Sequence, residues 1–297
     1  MNPVERAHLR CRIDTALARP WFFLCGAPKS GTTWLQRVLD AHPEIACAGE
    51  GHFADRLQEG LVNAFRYYNE QQETVARLVY EGEPFYQGLN QRLLDYTLES
   101  LMALVATQRP IGPEVRWIGD KTPRYTFYLD ALWRLMPEAR VIHIIRDGRD
   151  VVVSSLHHAK RSGVADALDR DGPGFLKNVG DYARIWADNV AAARRHAADR
   201  PDRYLEVRYE DLHADPMGLL GQVAGFLGVA DGEEVWRPCL EAADFRRLAK
   251  RKQGEENAGS FYRKGVAGDW RNFFDEAALA AVQAGAGETL AELGYVD

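Results

Sequence analysis

The chain has 297 residues, 46% hydrophobic and 27% charged, which is the composition of an ordered globular protein with enough apolar material for a large core. Its formal charge of −6 speaks against general nucleic-acid binding, although a net value can hide a local basic pocket. No apolar run approaches the ~20 residues of a membrane span, and the N-terminus, with Glu5 and Arg6, has no run of signal-peptide length, so a cytoplasmic protein of one domain over 1–297 is expected.

In chain order, Trp21–Cys25 is a continuous apolar run ending at Gly26, as suits a strand buried on both faces. A Gly/Pro/Ser-rich turn follows, and Trp34, Leu35, Val38 and Leu39 then recur at helical spacing until Ala41-His42-Pro43. Residues 53–112 read as largely helical, and Leu129, Leu132, Trp133 and Met136 outline another helix. A second buried strand, Val141–Ile145, turns at Arg146-Asp147-Gly148 into a helix from Asp150 towards Lys160. Arg161–Gly174 reads as a polar loop; this loop or the 53–112 region could border a substrate pocket, or be plain surface. A third strand, Tyr204–Tyr209, precedes a helix marked by Leu219, Leu220, Val223, Phe226 and Leu227. Strands alternating with helices predict an α/β fold of three layers, with a mostly parallel central sheet. Cys11, Cys25, Cys47 and Cys239 lack metal or redox spacing and are expected as reduced, buried thiols.

The segment Gly26-Ala-Pro-Lys-Ser-Gly-Thr-Thr33 lies between strand and helix, where unpaired N–H groups and the helix dipole attract an anion. Gly26 and Gly31 allow a tight curl, Lys29 supplies charge, and Ser30, Thr32 and Thr33 supply hydroxyls. A Walker A loop carries its lysine directly after the second glycine; here Thr32 stands there, which weakens a kinase or GTPase reading. Taken alone, such a turn is often just a capped helix start. Arg146, at the end of the second strand, and Ser154, on the following helix, suit a second anion beyond the strands' carboxyl ends, unless Arg146 merely pairs with Asp147 or Asp150 at the surface. A basic stretch from Phe245 to Arg271 contains Arg263-Lys264-Gly265-Val266-Ala267-Gly268-Asp269-Trp270, either an anion clasp or a solvated face.

Together, Pro28–Trp34 (PKSGTTW), Arg146–Ser154 (RDGRDVVVS) and Arg263–Trp270 (RKGVAGDW) resemble the signature segments of the PAPS-dependent sulfotransferases, in order and spacing, over about 250 residues. The resemblance implies that Lys29, Ser30, Gly31, Thr32 and Thr33 bind the 5′-phosphosulfate of 3′-phosphoadenosine 5′-phosphosulfate (PAPS), and that Trp34 stacks on adenine. It further implies Arg146, Ser154, Arg263, Lys264 and Gly265 on the 3′-phosphate, with Tyr209 and Phe245 on the adenine. For the aromatic residues the plain alternative is core packing. Adenosine 3′,5′-bisphosphate would be the product, and no metal is required. Sulfuryl transfer is an in-line displacement served by cations and N–H donors; Lys29 would stabilise the leaving group and Lys121, in Gly119-Asp-Lys-Thr-Pro123, would be a second cation. The cytosolic branch takes its base from a histidine in a lysine-x-histidine context, which this chain lacks. The tyrosylprotein branch uses a glutamate shortly after the loop helix, and Glu50 stands in that place. A buried carboxylate with a raised pKa would serve as base, with His52 and Asp120 as the other candidates. The rivals are a nucleotide-dependent kinase and a nucleotide-binding protein without chemistry. The acceptor is expected to offer a hydroxyl, less readily an amine, on a small molecule or natural product, without nucleic acid; oligomeric state is left open, a homodimer being one option.

Overall fold

A computed structural model describes residues 1–83, 86–164, 166–244 and 266–295. Helix α1 (Pro3–Leu17) leads into strand β1 (Trp21–Cys25), helix α2 (Thr32–Asp40), strand β2 (Ile45–Cys47) and, after a π-helical turn at Phe53–Leu57, helices α3 (Gln58–Val79) and α4 (Gln91–Ala106). Strand β3 (Trp117–Lys121), α5 (Leu129–Leu135), β4 (Arg140–Ile145), α6 (Gly148–Arg161), α7 (Phe175–Ala197) and β5 (Tyr204–Arg208) follow. The chain then forms α8 (Tyr209–Ala214), α9 (Pro216–Leu227), α10 (Glu233–Ala242) and α11 (Glu276–Glu292).

The strands form one parallel five-stranded sheet in the order β2-β3-β1-β4-β5. Because strand side chains alternate between faces, Phe22, Leu24, Ile142 and Ile144 pack with α2, α9 and α10 on one side, through Leu35, Leu39, Leu220, Val223 and Trp236. Trp21, Phe23, Cys25 and Val141 point the other way, to Leu98, Met102, Tyr125 and Trp133. A further cluster joins Val152 and Leu156 of α6 to Trp186 of α7 and Val282 of α11. This is the three-layer arrangement expected from the alternation of strands and helices, with β1 central. Its C-terminal end therefore opens between β3 and β4, where a connecting loop can gather groups from both neighbours.

The expected strands at 21–25, 141–145 and 204–209 are present to within a residue. Residues 53–112 are mainly helical and 162–174 contains no helix or strand among its described residues. Strands β2 and β3 were not anticipated. Cys25, Cys47 and Cys239 are buried free thiols, but Cys11 is exposed on α1, contrary to expectation.

Candidate active site

The loop after β1 closes tightly on the sheet. Gly26 donates its N–H to Pro123 O (3.3 Å) and Ser30 donates to Ala27 O (3.0 Å). Gly31 is left-handed at φ 94 and forms the N-cap of α2. Lys29 also has positive φ (79), a conformation costly outside glycine and found disproportionately at functional sites. Burial, the charge of Arg161 and, in opposition, that of Glu50 leave the Lys29 ammonium lowered to about 8. Ser30 Oγ is buried with no hydrogen-bond partner among the described residues. A helix N-terminus, a lysine and a buried hydroxyl without a partner among the described residues fit an anionic ligand.

Beside this loop stands Lys121 at the end of β3. Its ammonium is almost wholly buried, with a side chain 3% exposed, and donates to Thr33 Oγ1 (3.1 Å) and to Glu50 Oε1. Glu50 Oε2 in turn lies 3.3 Å from His52 Nε2, and His52 Nδ1 lies 2.9 Å from Asp55 Oδ2. Asp55, His52, Glu50 and Lys121 thus form a continuous polar chain ending at the phosphate loop. Asp55 was not singled out from sequence; its signal is the three-residue spacing after His52, which one helical turn brings together.

The burial expected for Glu50 is absent, since its side chain is 40% exposed. Burial instead falls on Asp120, 6% exposed, whose carboxyl is raised to about 6 by desolvation. Asp120 accepts from Gly51 N (2.7 Å), Tyr125 Oη (2.6 Å) and Thr122 Oγ1 (3.2 Å). With its oxygens engaged from three sides, Asp120 holds the loop bearing Glu50.

The place expected for a second anion is also built from buried groups. Arg146 donates to Lys29 O (3.2 Å) and Val266 O (2.9 Å), lies 4.4 Å over the Tyr209 ring, and retains a buried Nε without partner among the described residues. Its contact with Asp150 (3.6 Å) is an interior one and not the surface pair considered from sequence. Asp147 pairs with Arg149 instead, at 2.9 Å. Asp150 is the joint of this region: its two oxygens accept from Gly268 N (2.7 Å) and Trp270 N (3.0 Å), fastening the start of α6 to the chain after residue 265. Ser154 lies half-buried on α6.

Trp34 is half-buried, with its ring 5.7 Å from Tyr209 and 4.5 Å from His213. Tyr209 is buried beneath Gly31, where an added Cβ would come within 2.4 Å of its ring, so it packs closely against the loop. Phe245, Arg263, Lys264 and Gly265 lie outside the described residues. No group of metal-ligating side chains and no helix long and apolar enough to cross a membrane occurs among the described residues.

A flavonol sulfotransferase-like protein of Flaveria bidentis is 25% identical over 269 residues, covering 85% of this chain and 75% of its own. Protein-tyrosine sulfotransferase 1 of Danio rerio is 24% identical over 217 residues, covering 73% of this chain and 55% of its own. A mouse sulfotransferase crystallised with PAP superposes with a TM-score of 0.58 at 20% identity, over 97% of this chain and 91% of that one, a likeness of fold. The model of the sulfotransferase family matches residues 20–233, from the start of β1 to the start of α10, and the chain belongs to that family.

Proposed function

We propose that this chain transfers a sulfuryl group from PAPS to the hydroxyl of a small-molecule or natural-product acceptor in the cytoplasm, with Glu50 as general base. The observation that carries the reading is Lys121, one buried cation bonded both to Thr33 of the phosphate loop and to Glu50. It links the place where a donor phosphosulfate would lie to the group that would deprotonate the acceptor.

In this reading, Lys29, Ser30, Gly31, Thr32 and Thr33 hold the 5′ end of the donor, and Arg146 and Ser154 hold its 3′-phosphate with Arg263, Lys264 and Gly265. Trp34 offers its half-buried ring to the adenine; Tyr209 supports the loop beneath it, and Phe245 completes the adenine environment. Two separated anion loci suit a donor with two separated phosphates. Lys29 stabilises the oxygen on the departing phosphate and Lys121 the charge gathering on the sulfuryl oxygens. The acceptor oxygen forms the new bond to sulfur as the old sulfur–oxygen bond breaks, and its proton passes to Glu50. Asp55 holds His52 Nδ1, leaving Nε2 towards Glu50 Oε2 as a route by which the proton moves outwards.

Glu50→Gln keeps the side chain's shape and removes its basicity. Turnover is expected to fall by about 10²–10⁴-fold, the usual contribution of general base catalysis, while adenosine 3′,5′-bisphosphate binds as before. Near-normal turnover would sink the assignment. Thermal stabilisation by the bisphosphate and not by ATP with magnesium separates this reading from a kinase.

A further inference from the structure

Strand β4 stops at Ile145 and α6 starts at Gly148, so the Arg146–Asp147 peptide is the step between them, with Asp147 as the N-cap. That peptide is held at both ends by side chains of other helices. Its carbonyl oxygen, of Arg146, accepts from Trp186 Nε1 of α7 at 3.0 Å, and its N–H, of Asp147, donates to Glu210 Oε1 of α8 at 3.0 Å. The Trp186 side is close-packed, since a Cβ at Gly148 would lie 2.6 Å from the indole ring. Glu210 gives its other oxygen to a distant segment: Oε2 accepts from Tyr295 Oη at 2.9 Å. Tyr295 is fixed in turn. Gly294 turns the chain back from α11 at φ 73, the Tyr295 N–H donates to Leu290 O at 2.8 Å, and the Arg208 guanidinium lies 5.2 Å over the ring.

Arg146 is thus anchored twice. At its tip, Nη1 and Nη2 donate to Lys29 O and Val266 O, while the buried Nε has no partner among the described residues. At its root, the direction in which the side chain leaves the backbone is set by the clamped peptide. Resting on the sulfotransferase reading above, we propose that Glu210 and Tyr295 are positioning residues, which fix the peptide that aims Arg146 at the 3′-phosphate of the donor. The segment after α11 thereby contributes to the preference for a 3′-phosphorylated nucleotide. The effect runs through Arg146, because a carboxylate facing the phosphate directly would repel it.

The test titrates the full chain calorimetrically with adenosine 3′,5′-bisphosphate and with adenosine 5′-monophosphate, which lacks the 3′-phosphate. The unaltered chain is expected to bind the bisphosphate at least about tenfold more tightly, the scale of one charge-assisted contact. Tyr295→Phe should cut that ratio by about three- to tenfold, the scale of one hydrogen bond, entirely through the bisphosphate. Glu210→Ala should cut it at least as far, and Tyr295→Phe added to Glu210→Ala should change it no further. Glu210→Gln should keep most of the ratio, because its amide still accepts from Asp147 N and donates to Tyr295 Oη. An unchanged ratio in Tyr295→Phe overturns the proposal, whether or not the melting temperature falls, and so does an equal loss for both nucleotides. If Glu210→Ala does not fold, Tyr295→Phe and Glu210→Gln decide. Failure of the unaltered chain to prefer the bisphosphate would instead strike at the sulfotransferase reading itself, before any variant is compared.

Discussion

Gly31→Ala separates the backbone from the packing requirement of the phosphate loop. Gly31 sits at φ 94, and a Cβ there would lie 2.4 Å from Tyr209 Cδ2 and 2.7 Å from Cε2. The ring has nowhere to retreat, since it is buried with the Arg146 guanidinium 4.4 Å over it and Trp34 against its edge at 5.7 Å. The left-handed conformation costs a non-glycine residue about 1 kcal/mol, and forcing a methyl into a packed contact adds about 1–3 kcal/mol. In the otherwise unaltered chain the substitution should therefore destabilise by about 2–4 kcal/mol. In a Tyr209→Val background the opposing ring atoms are gone and only about 1 kcal/mol should remain. Denaturant unfolding of the four proteins in this cycle measures the difference. An equal cost for Gly31→Ala in both backgrounds would refute the packing argument and leave the dihedral alone.

Asp120 holds its proton to about pH 6 in the folded chain, against about 4 for an ordinary aspartate. The folded state therefore binds more protons than the unfolded one between those values, and this group's contribution to stability falls as pH rises through that window, by up to about 3 kcal/mol. Asp120→Asn should flatten that part of the stability profile; an unaltered slope counts against the buried-carboxyl account. Asp150→Asn places an amide N–H against one of two backbone donors, Gly268 N or Trp270 N, and removes the charge beside Arg146. Destabilisation of about 3 kcal/mol with weakened bisphosphate binding is expected, and unchanged affinity would separate Asp150 from the donor site. Tyr204→Phe removes the hydroxyl at 2.6 Å from His143 Nδ1 in a network with Glu206 and Arg194 on the far side of β4. It should cost about 1–3 kcal/mol and leave bisphosphate affinity untouched; a parallel loss of affinity would show the two regions to be coupled.

The sequence made β1 and β4 visible because both are buried on two faces and read as unbroken apolar runs. It hid β3, whose WIGDK segment carries a glycine, an aspartate and a lysine, although every residue of it is buried. Those charges are tolerable there only because Gly51, Tyr125, Thr33 and Glu50 satisfy them, and such partners, up to 88 residues away, leave no local pattern. The same blindness affected Glu50. Its position near the loop helix was legible, whereas its exposure depends on how the backbone between β2 and the π-helical turn is led past the end of β3. Asp150 was legible as a neighbour of Arg146, but its grip on residues 268–270 spans over a hundred positions.

That route of the backbone also decides what a substitution at Glu50 measures. After β2 the chain is stitched to β3 and the segment beyond it at four successive points: Lys121 N to Gly49 O (3.0 Å), Gly51 N to Asp120 Oδ2 (2.7 Å), His52 N to Thr122 Oγ1 (3.3 Å) and Phe53 N to Tyr125 Oη (3.0 Å). None of these bonds uses the Glu50 side chain. The location of the carboxylate is therefore set by the backbone and by Asp120, while its chemistry is set by Lys121 and His52. If Glu50 acts as the proposed base, removing its charge should leave the loop in place and change only the proton transfer, whereas Asp120→Ala should displace the Glu50 carboxylate without touching it. A variant of Asp120 that loses turnover and a variant of Glu50 that loses it to the same degree would be told apart by stability: the first falls with the loop and the second does not.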